Sequence, residues 1–441
     1  MQTILVAGAG KSSTHLIDYL LSHAGRHGWT VIVADGSAAA IEEKVRGHVH
    51  GEAAAIDITD AKARQELVRR ADLVVSLMPP HLHILLAKDC LQFGKHLITS
   101  SYASPEMREL DAAAKAAGLL FLCEMGLDPG IDHMTAAQII HGTQRIAATI
   151  TSFRSYCGGL VAPECDDNPW HYKFSWNPRN IVTAGFGGAR FLEHGQEKYI
   201  PHENLFGHGE TIRVDGLGSL AFYPNRDSLR YPALYDVPEA ETFLRATLRH
   251  PDFCHGWDAV VQLGLTEEND TLDENMRTYR SWTAAKAGGT VEDVRNAVAR
   301  KLALDENSPI IDMLDWLGLF DASPIPEKAK TSADALLELL LNKWSMKPTD
   351  KDMVVMQHEV EYAHKGRGTK LVSTMVLKGE NRDYSAMSKT VGLPMAIFAR
   401  LLLRNKVKLP TGVHIPTLPV IYKPVLTELQ QHGIQFHDVV S

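Results

Sequence analysis

The chain has 441 residues, more than one ordinary hydrophobic core supports, so two or three domains are expected. With 45% hydrophobic and 22% charged residues it reads as a soluble globular protein, and a formal charge of -8 without a Lys/Arg-rich run argues against nonspecific nucleic-acid binding. The five cysteines, Cys90, Cys123, Cys157, Cys165 and Cys254, are scattered and form no C-x-x-C pair. That fits a reducing cytoplasm better than a disulfide framework or a zinc site. The N-terminus enters a strand directly, and no leader-like segment or bilayer-length apolar run is expected.

The first part alternates strand and helix signals. Strands are expected at Thr3–Ala7, Thr30–Ala34, Ala53–Ile58, Leu73–Leu77, His96–Thr99 and Leu119–Leu122. Helices are expected at Ser12–Ser22 and at about 38–46, 60–70, 82–93 and 104–117. Short buried strands alternating with helices predict an α/β fold with a doubly wound parallel sheet. The pattern then changes. Ile150–Tyr156 reads as a strand, followed by a long Gly-, Pro- and aromatic-rich loop from Cys157 to Gly188. Roughly 240–345 is helix-rich, with N-cap signals at Thr290 and Ser332. Val354–Ala363 and Thr369–Lys378 alternate like an antiparallel pair around Lys365-Gly366-Arg367-Gly368. Helices at Ser385–Leu403, with a kink expected at Pro394, and Ile421–His432 precede a short strand at Ile434–His437.

Gly8-Ala9-Gly10-Lys11-Ser12-Ser13 joins the first strand to the first helix. Gly8 permits the tight turn, Gly10 lets the backbone approach a pyrophosphate, and the helix start supplies N–H groups and partial positive charge. The third fingerprint position holds Ser13 instead of glycine. Gly10-Lys11-Ser12 has the look of a P-loop ending, but Leu5 stands where that motif needs its first glycine. Lys11 reaches either a cofactor phosphate or solvent. Asp35 ends the second strand, where an acid hydrogen-bonds the ribose hydroxyls of NAD and repels the 2′-phosphate of NADP, so NAD is expected over NADP. A plain turn aspartate before Gly36 is the alternative. By topology, Asp57 and Ile58 flank the adenine, and Ser76, Leu77 and Met78 flank the pyrophosphate and nicotinamide ribose.

Ligands bind at the carboxyl ends of strands in open α/β sheets. Three polar clusters stand at such ends: Thr99-Ser100-Ser101-Tyr102, Glu124–His133, and Cys157-Gly158-Gly159. The phenol of Tyr102, the carboxylate of Asp128 and the thiol of Cys157 are each capable of proton transfer. Each also has a plainer reading. Tyr102 packs at a helix start, Asp128 caps the helix beginning near Gly130, and Cys157 is a small buried apolar residue. His81-Leu82-His83 lacks accompanying ligands and reads as a helix-start pair, so no metal is expected.

Several long motifs resemble one family. They are Ser100-Ser101-Tyr102, Glu124–His133, Ser155–Leu160, Asn168-Pro169, Tyr172–Trp176, Tyr223–Ser228, Pro238–Thr242, Trp316–Phe320, Asp352–Val355 and Thr390-Val391-Gly392. Together they make essentially the whole chain similar to the saccharopine reductases, the glutamate-forming saccharopine dehydrogenases. The resemblance implies a reversible reaction in lysine metabolism: saccharopine, water and a nicotinamide cofactor give 2-aminoadipate 6-semialdehyde, glutamate and the reduced cofactor. It points to Tyr102, Asp128 and Cys157 around the reacting centre, with Asp128 as acid/base aided by a water. The three substrate carboxylates call for cationic clamps, and Arg226 is the first choice because guanidinium binds carboxylate bidentately. Ser101, Thr247 and Lys173 support it. Trp176 is implied on the nicotinamide side; Gly126 and Gly130 are expected to let the backbone approach the nicotinamide ribose, and Leu127 to bind the cofactor. NADP-using members carry a basic residue near Asp35, which again favours NAD.

The resemblance further implies a homodimer of three domains, while cysteine usage, charge and hydropathy point to a cytoplasmic protein without nucleic-acid or membrane partners. A variant Rossmann domain would take 1–130 and 389–441. A second α/β domain for substrate and dimer contacts would take 131–245 and 350–388, and a helical insert 246–349. The rival functions are a carboxyalkyl-polyamine dehydrogenase of the carboxynorspermidine type and a non-catalytic dinucleotide-binding protein on the same scaffold.

Overall fold

The computed structural model describes residues 2–406 and 410–441. The chain forms two compact units, Met1–Thr149 with His364–Arg367 and Met375–His437, and Ile150–Ala363 with Gly368–Thr374 and Asp438–Ser441.

The first unit is built on β1 (Gln2–Ala7), β2 (Trp29–Asp35), β3 (Gly51–Ala55), β4 (Leu73–Ser76), β5 (His96–Thr99) and β6 (Leu120–Leu122). They run parallel in the order β3-β2-β1-β4-β5-β6, and a short strand, Gly412–His414, adds beyond β6. Helices cover both faces, so the strands are continuous apolar runs: Ile4–Ala7, Val31–Ala34 and Leu73–Val75 are all buried. The order reverses between β1 and β4, which opens a crevice at their carboxyl ends. The third strand lies earlier than Ala53–Ile58, because Gly51 already pairs with Val31. The expected helix 104–117 is two, Pro105–Glu109 and Asp111–Ala116.

The helix Ala386–Leu403 corrects the expectation that no bilayer-length apolar run exists, since its 18 residues are long and apolar enough to cross a membrane. Here 72% of it is buried inside the protein, including Met395–Ala399, so it serves as a core helix. Pro394 lies within it without ending it.

The second unit contains β7 (Thr149–Val161), β8 (Ala189–Glu193), β9 (Gln196–Ile200), β10 (Thr211–Val214), β11 (Gly218–Pro224), β12 (Thr242–Arg249), β13 (Asp352–His364) and β14 (Arg367–Lys378). The sheet order is β10-β11-β12-β7-β13-β14, then the last strand, His437–Val440; β8 pairs with β12 and β9. β7 and β12 are parallel, while β10, β11 and β12 are antiparallel neighbours. The last strand begins where Ile434–His437 was expected to end.

Five helices, Pro251–Gln262, Tyr279–Ala287, Val294–Leu302, Pro309–Leu317 and Ser332–Trp344, follow β12. They share a core with the loop after β7 through Trp170, Tyr172, Phe253, Trp257 and Trp344. Phe253 stacks on Trp257 with centroids 5.6 Å apart, and Trp170 meets Trp344 edge-on at 5.3 Å. The last helix is capped by Thr331, one residue before the expected Ser332, in a capping box with Asp334. Thr290 caps nothing: the helix there starts at Val294, after Asp293.

Candidate active site

In the first unit, β1 ends at Ala7, and Gly8 N donates to Ala34 O at 2.8 Å, which holds the loop against β2. Lys11–Ser13 form one tight turn that runs into the helix Thr14–His27. Ser13 is buried and its hydroxyl donates to Gly10 O at 2.8 Å, so the serine at the third fingerprint position braces the loop from inside. Gly10 and Lys11 are exposed and Ser12 half-buried at a helix N-terminus, a setting suited to an anionic cofactor. Partial desolvation and then the charge of Arg382 hold the Lys11 ammonium below the ordinary lysine range, with Asp383 opposing.

Asp35 is not displayed as an isolated acid. Oδ2 accepts from Ala9 N at 2.8 Å and Oδ1 from Ser37 N at 2.9 Å, so both oxygens tie the glycine loop to the turn after β2. Asp57 likewise caps its own turn, accepting from Thr59 N and Oγ1, which hold its carboxyl below the usual range. Ile58 is buried and its carbonyl accepts from Arg64. Leu77 and Met78 are half-buried past the end of β4.

Ser76 is buried, and its hydroxyl lies 2.8 Å from His83 Nδ1, while His83 Nε2 lies 2.9 Å from Ser101 Oγ. Burial, then the charge of His81, push His83 down to about 4. A neutral imidazole has one donor and one acceptor nitrogen, so the chain Ser76–His83–Ser101 is directional and fixes both hydroxyls. The pair read as His81 and His83 at a helix start is therefore split: His81 is exposed, and His83 links the ends of β4 and β5.

Tyr102 Oη donates to Asp128 Oδ1 at 2.8 Å. Between Leu119 and Ala137, Asp128 is the one residue that is not buried. The helix Ile131–Arg145 has Gly130 at its N-cap and no side-chain cap bond; Asp132 Oδ1, not Asp128, meets Gly130 N at 2.5 Å. The capping reading of Asp128 is thus removed. Behind it, buried Glu124 accepts from Ala103 N at 3.0 Å and pairs with His133 Nε2 at 2.7 Å, clamping the Tyr102 loop to the Asp128 loop. Glu124 holds a left-handed φ of 60°, uncommon for a non-glycine residue. Gly130, with φ 152°, has an architectural duty: a Cβ there would lie 2.0 Å from Gly126 O, and Gly126 N donates to Pro129 O. Leu127, buried, carries the carbonyl that accepts from Asp132 N.

In the second unit, Cys157 is buried in mid-strand, because β7 runs on to Val161 where a loop was expected. It sits in parallel register with Thr247, which in turn faces Tyr223 on β11. Two residues along the same face of β12, Arg249 is 4% exposed. Its guanidinium lies over the rings of Tyr172, Phe253 and Tyr223 at 5.3, 5.5 and 5.9 Å and donates to Leu248 O. Its Nε has no hydrogen-bond partner, and no carboxylate pairs with it among the described residues. Burial pushes the Tyr172 and Tyr223 phenols up, so they are neutral companions to this cation. Arg249 escaped the sequence reading, and His83 was read only as one of a helix-start pair. The signal for Arg249 was its alternation with Arg245 and Thr247 along β12.

Lys173 departs from the expected clamp. Buried, it sits 2.8 Å from both Asp350 Oδ2 and Asp167 Oδ1. Burial lowers its pKa, but the two carboxylates more than offset that and raise it. Trp176 is half-buried and donates to Tyr172 Oη at 3.2 Å. Arg226 is exposed with a left-handed φ of 53°. The structure thus joins Tyr102 to Asp128, Ser76 to Ser101 through His83, and Cys157 to Thr247, while Lys173 is committed to aspartates. All five cysteines are free thiols.

Two family models match the chain: one described as the saccharopine dehydrogenase NADP binding domain over residues 4–122, and one as the saccharopine dehydrogenase C-terminal domain over 126–434. The saccharopine dehydrogenase [NADP(+), L-glutamate-forming] of Schizosaccharomyces pombe is 30% identical over all of this chain and 99% of its own. A solved structure of the apo L-Glu-forming enzyme from Saccharomyces cerevisiae superimposes with a TM-score of 0.90 at 30% identity, covering both chains fully. The mitochondrial alpha-aminoadipic semialdehyde synthase of Bos taurus is 35% identical over 84% of this chain, which spans 41% of that longer protein.

These matches overturn the expectation of NAD: the N-terminal model is that of an NADP-binding domain, and the fungal relatives are named for NADP(+). The physical reason the inference from Asp35 failed is its two backbone bonds, which employ the carboxylate in holding the loop. The chain belongs to the saccharopine dehydrogenase family.

Proposed function

We propose that this chain oxidises saccharopine reversibly with NADP, releasing 2-aminoadipate 6-semialdehyde and L-glutamate. The observation that carries the reading is the hydrogen-bonded pair Tyr102–Asp128, with Asp128 alone unburied in its loop at the carboxyl edge of the first sheet. The reaction removes a hydride from the carbon bearing the secondary amine, and water then hydrolyses the imine. The nicotinamide of the bound cofactor supplies the hydride acceptor. Asp128 takes the amine proton and directs the attacking water, and Tyr102 fixes the carboxylate's orientation. Glu124 and His133 hold both loops in place. Gly10, Ser12 and the start of the helix Thr14–His27 hold the pyrophosphate. Lys11, with the charge of Arg382 beside it, supports a further phosphate.

The substrate's carboxylates call for cations. Arg249, buried without a carboxylate partner, is the best-prepared receptor, and exposed Arg226 is a second. Thr247, Cys157 and Tyr223 line the same sheet face as Arg249 and orient the bound chain. Ser101, its hydroxyl set by His83, contributes a directed hydrogen bond. The test supplies saccharopine with NADP(+), follows nicotinamide reduction and identifies glutamate. Equimolar glutamate and reduced cofactor are expected; absence of turnover with saccharopine would reject the assignment.

A further inference from the structure

The loop Asp166–His171 and the start of the helix Pro251–Gln262 gather donors that no step of the proposed reaction uses. His171 Nδ1 lies 2.6 Å from Asp166 Oδ2, and its Nε2 lies 3.3 Å from Asp252 Oδ2. The same Asp252 oxygen is 3.4 Å from His250 Nδ1. The two imidazoles face each other with centroids 3.8 Å apart. One ligating atom from each of His171, His250 and Asp252 lies within 4.8 Å of the other two.

These separations carry information. Nitrogen and oxygen ligands at zinc bond lengths around a tetrahedral centre stand about 3.3 Å from one another. A proton on His171 Nδ1, shared with Asp166, leaves the lone pair on Nε2 facing the Asp252 carboxylate. Two lone-pair-bearing atoms at that distance repel unless a cation lies between them. A carboxylate behind an imidazole is also the arrangement that orients metal-bound histidines. Asp166 Oδ1 is enclosed and has no hydrogen-bond partner, so negative charge behind His171 is incompletely compensated. The lysines of this region do not compensate it, because Lys173 and Lys347 are bound to Asp167.

We propose that His171, His250 and Asp252 bind a divalent metal ion of the zinc class, with Asp166 orienting His171 and water completing the coordination. All three ligands are half-buried in the second unit, within reach of solvent. The ion ties the loop after β7 to the first turn of the helix that follows β12. The long contact from Asp252 N to His250 Nδ1, 3.3 Å, gives way to the metal bond. The competing occupant is a proton that makes His171 an imidazolium between two aspartates.

Two substitutions separate metal binding from folding. His171 holds a left-handed φ of 51°, which asparagine tolerates best among non-glycine residues. His250 is an N-cap, a position asparagine also favours. His171→Asn and His250→Asn therefore remove imidazoles while keeping both backbone roles. The experiment titrates untagged, chelator-treated full-length protein with cobalt(II). One equivalent is expected to develop the visible bands of tetrahedral cobalt, bleached by zinc(II). Each histidine variant should weaken binding about 100-fold or more, and Asp166→Asn about 10- to 100-fold, with metal-free melting temperatures close to wild type. No saturable band, bands unchanged in both histidine variants, or nitrogen NMR showing a doubly protonated His171 in excess zinc(II) would overturn the proposal.

Discussion

Two of the second unit's buried cations are built in opposite ways. Lys173 sits between Asp350 and Asp167, its charge answered by the protein itself. Arg249 lies among aromatic rings with no carboxylate, its charge answered only by π faces, phenols and one carbonyl. Burying an uncompensated ion is costly, so a site that keeps one is prepared for an anion from outside. The first unit repeats the contrast with acids. Glu124 is buried and clamped by Ala103 and His133, whereas Asp128 alone stays partly open to solvent. Lys173 and Glu124 are held by partners within the fold, whereas Arg249 and Asp128 are the groups proposed above to meet the substrate.

The sharpest way to break this contrast is at Asp128. Asp128→Asn keeps the shape and the Tyr102 contact, and should lower kcat roughly 10²- to 10⁴-fold while NADP affinity stays within about threefold. An unchanged kcat in steady-state assays would return Asp128 to a structural part. Next comes Arg249→Met, which should raise KM for saccharopine by about 10²-fold or more, since truncating one member of a buried charge pair costs about 2–5 kcal/mol. Its melting temperature should be unchanged or raised, because the free protein loses an unpaired buried charge.

Lys173→Met should do the reverse. It strands the Asp350 carboxylate and should cost about 3 kcal/mol in denaturant unfolding, with KM altered by no more than about threefold. An effect of no greater size, confined to acid pH, is expected at His83. Its folded pKa of about 4 lies below the unfolded imidazole value, so the unfolded chain binds the extra proton between those pH values. Stability conferred by neutral His83 is present above the unfolded pKa and is lost as pH falls towards 4, by about 3 kcal/mol at most. His83→Gln should flatten that part of the stability–pH curve.

The first sheet was legible because strands buried on both faces must be continuous apolar runs, as Ile4–Ala7 and Val31–Ala34 are. β8 to β11 were not, since Arg190, Glu193 and Glu197 break the apolar pattern of strands exposed on one side. Gly158-Gly159 read as the end of a strand, yet β7 passes through them. Gly158 is needed because a Cβ there would lie 2.5 Å from Leu248 O. The loop Glu124–His133 was found by its position and its carboxylates. Which carboxylate works and which clamps depends on burial, and no spacing encodes that. Asp35 failed for the same reason: its residue type suggested a ribose contact, and only the backbone hydrogen bonds reveal its employment.

The most direct test is kcat/KM for saccharopine oxidation with NADP(+), measured for the wild-type chain beside Arg249→Met at matched thermal stability. Wild type should form glutamate and reduced cofactor one for one, and the variant should lose about 100-fold or more. A wild-type chain inert towards saccharopine, or a variant that matches it, would contradict the account.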